Sequence, residues 1–145
     1  MKKVLFIIFT LLSFSIYSQN IFPVKLDGCK SSRFCIDCGD TKAGYDALKF
    51  KILEDDLSKS LDNGLEGEIM MQVLIDSKGH GCVVSHTDES NSPITLKIIT
   101  ELNNFQNWIP ATTNNKEEKM TSIKILFIIK EGKIMSKIER VKIGN

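Results

Sequence analysis

Apolar positions recur along the chain with two different periods, and the changes of period divide it into elements. Two stretches, Tyr45 to Asp62 and Pro93 to Phe105, carry apolar residues at steps of three and four, which predicts two amphipathic helices. Ser92 before Pro93 marks the start of the second helix, because serine caps a helix and proline suits its first position. The predicted apolar stripes consist of Phe50, Leu53, Leu57 and Leu61 in the first helix, and of Ile94, Ile98, Ile99, Leu102 and Phe105 in the second.

Outside these helices the apolar period is two, as in half-buried strands. One strand follows Gly67, and residues 80–87 return beside it after a turn from Asp76 to Gly79, where Gly79 can take the positive φ that the turn needs. A strongly apolar strand comes later, and Ile134 to Ile143 can pair back on it. The alternating apolar positions are Ile69, Met71, Val73 and Ile75 in the first strand, opposite Glu68, Gln72 and Asp76, and Ile123, Ile125, Phe127 and Ile129 in the later one.

The order helix, hairpin, helix, strand, strand predicts a small α+β domain over residues 45–145. In this domain, a mainly antiparallel sheet packs against the two helices, and the sheet consists of the β-hairpin and the C-terminal strands. Trp108 is expected to fill the space between helix and sheet, and Pro110 to stop the second helix from continuing. Residues 112–119 are predicted to be a polar loop, and residues 20–44 an irregular, cysteine-rich N-terminal segment.

The first residues indicate export. Lys2 and Lys3 precede an uncharged, mainly apolar run over residues 4–16, and small or polar residues follow it. This is the layout of a secretory signal peptide, predicted over residues 1–19. The run would reach roughly 20 Å as a helix, which is short for a bilayer core of about 30 Å. An uncleaved membrane anchor is the alternative. The predicted location is the periplasm or envelope of a Gram-negative-type bacterium, with secretion as a further alternative.

Charge and composition exclude one class of partner. The chain has 145 residues, the size of one domain, and its formal net charge is only +1. A nucleic-acid-binding protein would more often carry a basic stripe, and none is visible in the sequence. We therefore expect no nucleic-acid partner.

The cysteines offer several kinds of chemistry. In an exported chain an even number of cysteines favours disulfides, and the sequence leaves all three connectivities open. A zinc site of four thiolates, with His80 or His86 in place of one of them, is the alternative. Cys35-x-x-Cys38 has the CxxC spacing of redox-active cysteine pairs. Cys82 would be a candidate nucleophile if its thiol were free and His80 or His86 were in reach. The four cysteines are Cys29, Cys35, Cys38 and Cys82.

The patterns for enzymatic chemistry are weak. Cys35-x-x-Cys38 lies in a loop rather than at the start of a helix, and the two histidines sit two and four residues from Cys82 in a predicted strand. No phosphate-binding glycine loop, HExxH or GxSxG motif is present. The sequence predicts a protein that is not an enzyme and holds no cofactor.

Several of these pieces together resemble a known family. The hairpin with Ile75-Asp76-x-x-Gly79, the helix that leads into Trp108-x-Pro110-Ala111, the polar loop and the apolar last strand are similar to the C-terminal domain of TonB. The similarity covers about residues 45 to 130. It implies an adaptor whose sheet edge takes up an extended segment of an outer-membrane transporter or other envelope protein by β-augmentation.

By resemblance, that edge comes from residues 121–143, and a homodimer paired through the edge is an alternative. The residues expected to form the partner-binding edge are Ile123, Ile125, Phe127 and Ile129.

The chain also departs from the TonB pattern. It lacks a long proline-rich spacer, its N-terminal apolar run holds no histidine, and the cysteine-rich segment is additional. These differences predict a stand-alone exported domain and not a complete energy transducer. Two other hypotheses remain open: a thiol- or zinc-dependent envelope protein that uses the four cysteines, and a secreted binding or inhibitory module.

Overall fold

The structure is a computed structural model, and it describes residues 20–30 and 33–141. The predicted signal peptide, residues 1–19, lies outside the described residues, as does the end of the predicted last strand. Within the described ranges, no helix is long and apolar enough to cross a membrane.

Two helices and a curled, mainly antiparallel sheet form the domain, which confirms the predicted α+β class. The elements in chain order are β1 (Val24–Lys25), β2 (Cys35–Ile36), β3 (Gly44–Tyr45), α1 (Ala47–Ser58), β4 (Gly67–Asp76), β5 (Gly81–His86), α2 (Pro93–Asn104), β6 (Trp108–Ile109), β7 (Thr112–Thr113), β8 (Lys116–Glu117), β9 (Met120–Lys130) and β10 (Lys133–Glu139).

The main sheet has the strand order β1-β5-β4-β9-β10. β2 pairs with β9 on the side that β10 also uses, and it is the one parallel neighbour among the described strands. Two small ladders, β3 with β6 and β7 with β8, lie outside this sheet. β9 is therefore an interior strand along its whole length, with β4 on one side and with β2 and β10 on the other.

The core lies between the helices and one face of the sheet. The predicted alternation in β4 and β9 is confirmed, because the two apolar series of these strands are buried and face the helices. The helices contribute the buried side chains Phe50, Leu53, Leu57, Ile94, Ile98 and Leu102.

Both helices begin at a capping side chain. Asp46 accepts the backbone N–H of Lys49 at 2.9 Å at the start of α1, and Ser92 accepts that of Thr95 at 3.4 Å at the start of α2. Each accepts an N–H that has no partner inside the helix. α1 ends at Ser58, earlier than the pattern predicts, and the chain then passes through turns to Gly64 at a φ of +79°.

The predicted role of Pro110 is wrong. α2 ends at Asn104, and Phe105 is already extended at φ −67° and ψ 129°, so the helix has stopped well before the proline. Pro110 instead follows β6, which pairs with β3.

The hairpin turn forms as predicted. One carboxylate oxygen of Asp76 accepts the backbone N–H of Lys78 at 2.8 Å and of His80 at 2.9 Å, and Gly79 has a φ of +77°. This local arrangement is an aspartate-stabilised turn, in which a side chain replaces main-chain acceptors. β4 and β5 are then joined in register apart from an irregularity between Gln72 and Val73.

Two glycines of the hairpin make room for Trp108. A side chain at Gly81 would overlap the indole ring, and one at Gly79 would come within 2.9 Å of the Trp108 carbonyl oxygen. The ring is 4% exposed and packs edge-on against Phe50 and Phe105. Trp108 therefore fills the space between helix and sheet, as the sequence predicts.

The second face of the sheet differs from the prediction. The alternation in β4 places Gln72 on a polar, solvent-facing side, yet Gln72 is fully buried. Residues 20–30, predicted to be irregular, run over this face and add β1 to the sheet beside β5. The predicted polar loop over residues 112–119 likewise contains the short β7–β8 ladder.

Candidate functional site

The sheet has two outer flanks, formed by β5 with β1 and by β10. The predicted partner-binding edge on β9 is wrong, because every one of its four residues belongs to an interior strand and is almost fully buried. Their main-chain groups pair with β4 and β10, and their side chains pack under the helices. The strand that lies at the C-terminal flank is β10.

The outward side of β10 can be assigned from its register. Lys130 pairs with Lys133 across a turn of two residues, Glu131 and Gly132, both with positive φ. In such a hairpin this pair is hydrogen-bonded, and the bonded pairs then alternate along the ladder. The N–H and C=O groups of Ile134, Ser136 and Ile138 therefore point away from β9.

Two side chains of α1 occupy part of this flank. Ser58 Oγ accepts the backbone N–H of Ile134 at 2.8 Å, and Glu54 Oε1 accepts that of Ser136 at 2.7 Å. The hydroxyl of Ser136 also donates to Glu54 Oε1, at 2.6 Å. Glu54 is only 8% exposed, so α1 supplies β10 with side-chain acceptors in place of a neighbouring strand.

A groove of about 700 Å³ lies between the end of α1 and the start of β10. It is lined by Lys51, Asp55, Ser58, Lys59, Gly132, Lys133, Ile134 and Met135. Met135 leaves 46% of its surface exposed there. The groove thus combines an apolar side chain, several lysines and the outward side of a strand.

The far end of β10 is fastened to the N-terminal segment. The Asp37 carboxylate accepts from Arg140 Nη1 at 2.7 Å and from the backbone N–H of Val141 at 3.1 Å. Arg140 also donates to the carbonyl oxygen of Ala43 at 2.9 Å. Asp37 is 8% exposed, so this contact connects the two ends of the described chain in a largely buried position.

The β5 flank is closed by main-chain and side-chain bonds together. Asn103 Oδ1 accepts the N–H of Val83 at 2.8 Å, and Val84 O accepts the N–H of Leu26 at 2.9 Å. β1 pairs with Ser85 and His86 next to these bonds. Little of β5 is left for another chain.

The same flank continues into a buried polar cluster of Gln72, Ser85 and Ser122. Gln72 Oε1 accepts from Ser85 Oγ at 2.7 Å and from the backbone N–H of Ile21 at 2.9 Å, while Gln72 Nε2 donates to Ser122 Oγ at 2.9 Å. These bonds satisfy polar groups that would otherwise be costly to bury. They fix the start of the described chain on the second face of the sheet.

The four cysteines form two separate disulfides, Cys29–Cys82 and Cys35–Cys38, with Cα–Cα distances of 6.0 and 5.7 Å. The prediction of disulfides is confirmed, and Cys29 is the partner of Cys82. The first bond fastens the N-terminal segment to β5, and the second lies beside β9. Because β4 separates these strands, the structure does not bring the four thiols together into one zinc site.

A smaller group does converge around the second disulfide. Cys35 Sγ, Cys38 Sγ and a carboxylate oxygen of Glu118 lie within 4.8 Å of one another, and all three residues are partly exposed. Thr121 Oγ1 is 3.7 Å from each sulfur. Glu118 comes from the predicted polar loop, where sequence reasoning assigned it no role.

The two histidines have opposite surroundings. His80 is exposed, and its Nδ1 lies 3.1 Å from Asp76 Oδ2. Burial alone would raise the pKa of Asp76, but hydrogen bonds from the backbone and ring of His80 and from Lys78 outweigh it and lower the pKa. Neither histidine is among the groups that converge on the cysteines.

His86 is fully buried, and neither ring nitrogen has a hydrogen-bond partner among the described residues. Burial lowers the pKa of His86 because the charged ring would lose its hydration, and the opposing influence of Asp88 and Asn91 is smaller. His86 is therefore a neutral core residue next to β1.

Comparisons with protein families, curated proteins and solved structures find no match for this chain. The similarity to the TonB C-terminal domain stays a prediction.

Proposed function

We propose that this chain is an exported protein-interaction domain of the cell envelope that binds an extended segment of a partner by β-augmentation along β10. The observation that carries the proposal is a strand of seven residues at the outside of the sheet with a groove of about 700 Å³ beside it. An unpaired row of N–H and C=O groups is a template for another strand.

The groups that an incoming strand would use are those that point away from β9. They are the carbonyl oxygens of Ile134, Ser136 and Ile138 and the N–H of Ile138. The N–H groups of Ile134 and Ser136 are held by Ser58 and Glu54, which are side chains and can be exchanged for a carbonyl acceptor. Partner binding would then replace two contacts within the domain by a longer ladder.

The lining of the groove favours a partner segment of a certain chemistry. Three lysines and one aspartate contribute to it; Lys51 and Lys59 form ion pairs with carboxylates of α1, which leaves Lys133 as the lysine outside those pairs that can meet an acidic residue of the partner. Met135 offers a flexible apolar contact in the same place. An extended segment with acidic residues and one apolar side chain fits best, and an outer-membrane transporter or other envelope protein is the proposed source.

Two observations support an envelope location. Both disulfides suit an oxidising compartment, and the lysine-led apolar start of the chain is typical of export. The role proposed is binding, without catalysis and without complete energy transduction.

Met135→Asp tests the binding proposal against a matched control, Leu96→Asp. Met135 and Leu96 are similarly exposed, at 46% and 51%, but Leu96 lies on α2 outside the groove lining. The wild-type protein and Leu96→Asp should retain the same envelope protein in a pull-down, and Met135→Asp should lose it. Equal retention by both variants would contradict the assignment of the groove.

Ile138→Pro tests the main-chain part of the proposal. Its N–H points away from β9, so proline at this edge position removes a donor for the partner strand without breaking the β9 ladder. A synthetic extended peptide of the captured protein should bind the wild type and bind Ile138→Pro more weakly. β-augmentation would be excluded if only the folded partner binds and if Ile138→Pro binds it as tightly as the wild type does.

A further inference from the structure

The second disulfide, Cys35–Cys38, lies beside a third residue of a type that can bind a metal ion. Besides the two sulfurs, a carboxylate oxygen of Glu118 lies in the same small volume, with all three atoms within 4.8 Å of one another. Zinc binds thiolate at about 2.3 Å and carboxylate at about 2.0–2.2 Å, so ligands of one ion are separated by up to roughly 4.6 Å. In the closed disulfide the two sulfurs are bonded to each other, so they must separate on reduction before both can bind one ion, and the Glu118 carboxylate oxygen already lies within 4.8 Å of them.

The backbone around the two cysteines is held by bonds other than the disulfide. Cys35 lies in β2, which pairs with β9 at Thr121, and the N–H of Asp37 donates to the carbonyl oxygen of Ser122 at 2.9 Å. Asp37 is fixed in turn by Arg140. These contacts would keep the two sulfurs near each other after the bond between them is broken.

Glu118 is held in place independently. Its backbone N–H donates to the carbonyl oxygen of Ala111 at 2.8 Å, and Thr113 Oγ1 donates to its Oε1. A carboxylate oriented in this way resembles a metal ligand that is supported by a neighbouring hydrogen bond. The second carboxylate oxygen remains available for a ligand.

The disulfide itself adds little to the fold. Only two residues separate Cys35 from Cys38 along the chain, and a crosslink that closes so short a loop removes little freedom from the unfolded state. Cys29–Cys82 holds the N-terminal segment separately. Opening the second disulfide therefore leaves the main attachment of the segment intact.

We propose that Cys35, Cys38 and Glu118 form a redox-gated site for a borderline-soft divalent cation such as Zn²⁺. An external dithiol donates two electrons and two protons to the Cys35–Cys38 disulfide, which yields two thiols here and a disulfide in the donor. The cation then displaces the two thiol protons to solvent and is bound by two thiolates and the carboxylate. Water completes the four positions that zinc prefers.

The donor set decides the class of cation. Two thiolates select zinc-like ions over Mg²⁺ or Ca²⁺, which prefer oxygen ligands. The oxidised protein has no thiolate to offer, so metal binding would depend on the redox state of this one pair. This inference is independent of the binding role of β10.

Co²⁺, a spectroscopic substitute for zinc, tests the site in the purified protein after reduction with a phosphine and removal of the reductant. The reduced wild type should take up one Co²⁺ per chain with a thiolate-to-cobalt charge-transfer band, and Zn²⁺ should displace it. The oxidised protein should show no band. Glu118→Gln should weaken binding on the order of tenfold or more, because it replaces the carboxylate.

Three control variants separate this site from other thiols. Glu117→Gln, the exposed neighbouring carboxylate, should bind as the wild type does. Cys29→Ser/Cys82→Ser should keep the band, and Cys35→Ser/Cys38→Ser should lose it. Circular dichroism of the reduced chain should show the oxidised protein's spectrum.

Four outcomes of the cobalt and circular-dichroism measurements would overturn the proposal. They are no band in the reduced wild type, a band that persists in Cys35→Ser/Cys38→Ser, wild-type affinity in Glu118→Gln, and loss of the fold when Cys29→Ser/Cys82→Ser, in which Cys35–Cys38 is the one disulfide left, is reduced. If Cys29→Ser/Cys82→Ser does not fold, alkylation and mass mapping of the reduced wild type identify which cysteines the bound metal protects. Protection of Cys29 and Cys82 alone would equally overturn it.

Discussion

The two flanks of the sheet are closed by different means. The β5 flank is held by a disulfide, by pairing with β1 and by the buried Gln72 cluster. The β10 flank is held over residues 134–136 by acceptor side chains of one helix. A permanent closure on one side and an exchangeable one on the other leave a single side where another strand can be added.

The largest effect should come from breaking the permanent closure. Cys29→Ser/Cys82→Ser removes a crosslink between positions 53 residues apart and should lower the free energy of unfolding by about 2–4 kcal/mol. Cys35→Ser/Cys38→Ser, whose cysteines are 3 residues apart, should lower it by much less. Urea unfolding of both double variants measures the difference, and equal losses would refute this account of the β5 flank.

Removing the polar cluster should weaken the same flank without touching the disulfide. Gln72→Leu leaves the N–H of Ile21 and the buried hydroxyls without their partner, so stability should fall by about 1–3 kcal/mol. Amide exchange at Ile21 should speed up. Glu68→Leu, an exposed position of the same strand, should stay within about 0.5 kcal/mol of the wild type. A similar loss in both variants would mean that burial of the glutamine is unimportant.

Opening the exchangeable closure should have a smaller effect that is confined to β10. Glu54→Ala removes the acceptor of the Ser136 N–H and hydroxyl and should lower stability by about 1–2 kcal/mol. Exchange of the Ser136 amide should accelerate, while amides of β5 keep their protection. Asp55→Ala, which removes only an exposed ion pair with Lys51, is the matched control. If amide exchange at Ser136 is equally fast in Asp55→Ala, the hydrogen bond to Glu54 is not what protects the outward side of β10.

Acid should affect the β5 flank through His86. Its pKa is lowered in the folded state by burial, so below about pH 6.5 the unfolded chain binds a proton that the folded chain does not. Stability should therefore fall as the pH drops from 7 to 5, by at most about 1.4 kcal/mol per pH unit. His86→Phe should remove this slope and His80→Asn should keep it, as measured by urea unfolding at each pH. A slope that survives in His86→Phe assigns the effect to another group.

Local signals predicted the elements well. The cap at Ser92 and the apolar stripe of α2 depend on neighbours within a few residues, as does the Asp76-to-Gly79 turn. The size and setting of Trp108 predict a core residue, but they do not show that Gly81 makes the space for its ring. A glycine two residues after the turn glycine, in a strand, was the available signal.

The pairing of strands that are distant in the sequence could not be predicted from local patterns. The apolar alternation of β9 is the same whether the strand lies at the edge or in the middle, and only its pairing with β2 and β10 decides this. Gln72 has a solvent-facing position in its own strand, but residues 20–22 cover it. Glu118 lies in a polar stretch of many charged residues, so no local pattern distinguishes it from its neighbours.

The spacing of the cysteines also bears on how the two disulfides can form in an oxidising compartment. Cys35 and Cys38 are 3 residues apart and can meet in the unfolded chain, whereas Cys29 has to reach a partner 53 residues further on. Until β5 exists, Cys29 has two nearer thiols to react with. Early closure of Cys35–Cys38 would leave Cys82 as the partner of Cys29, so the smaller crosslink would limit mispairing of the larger one.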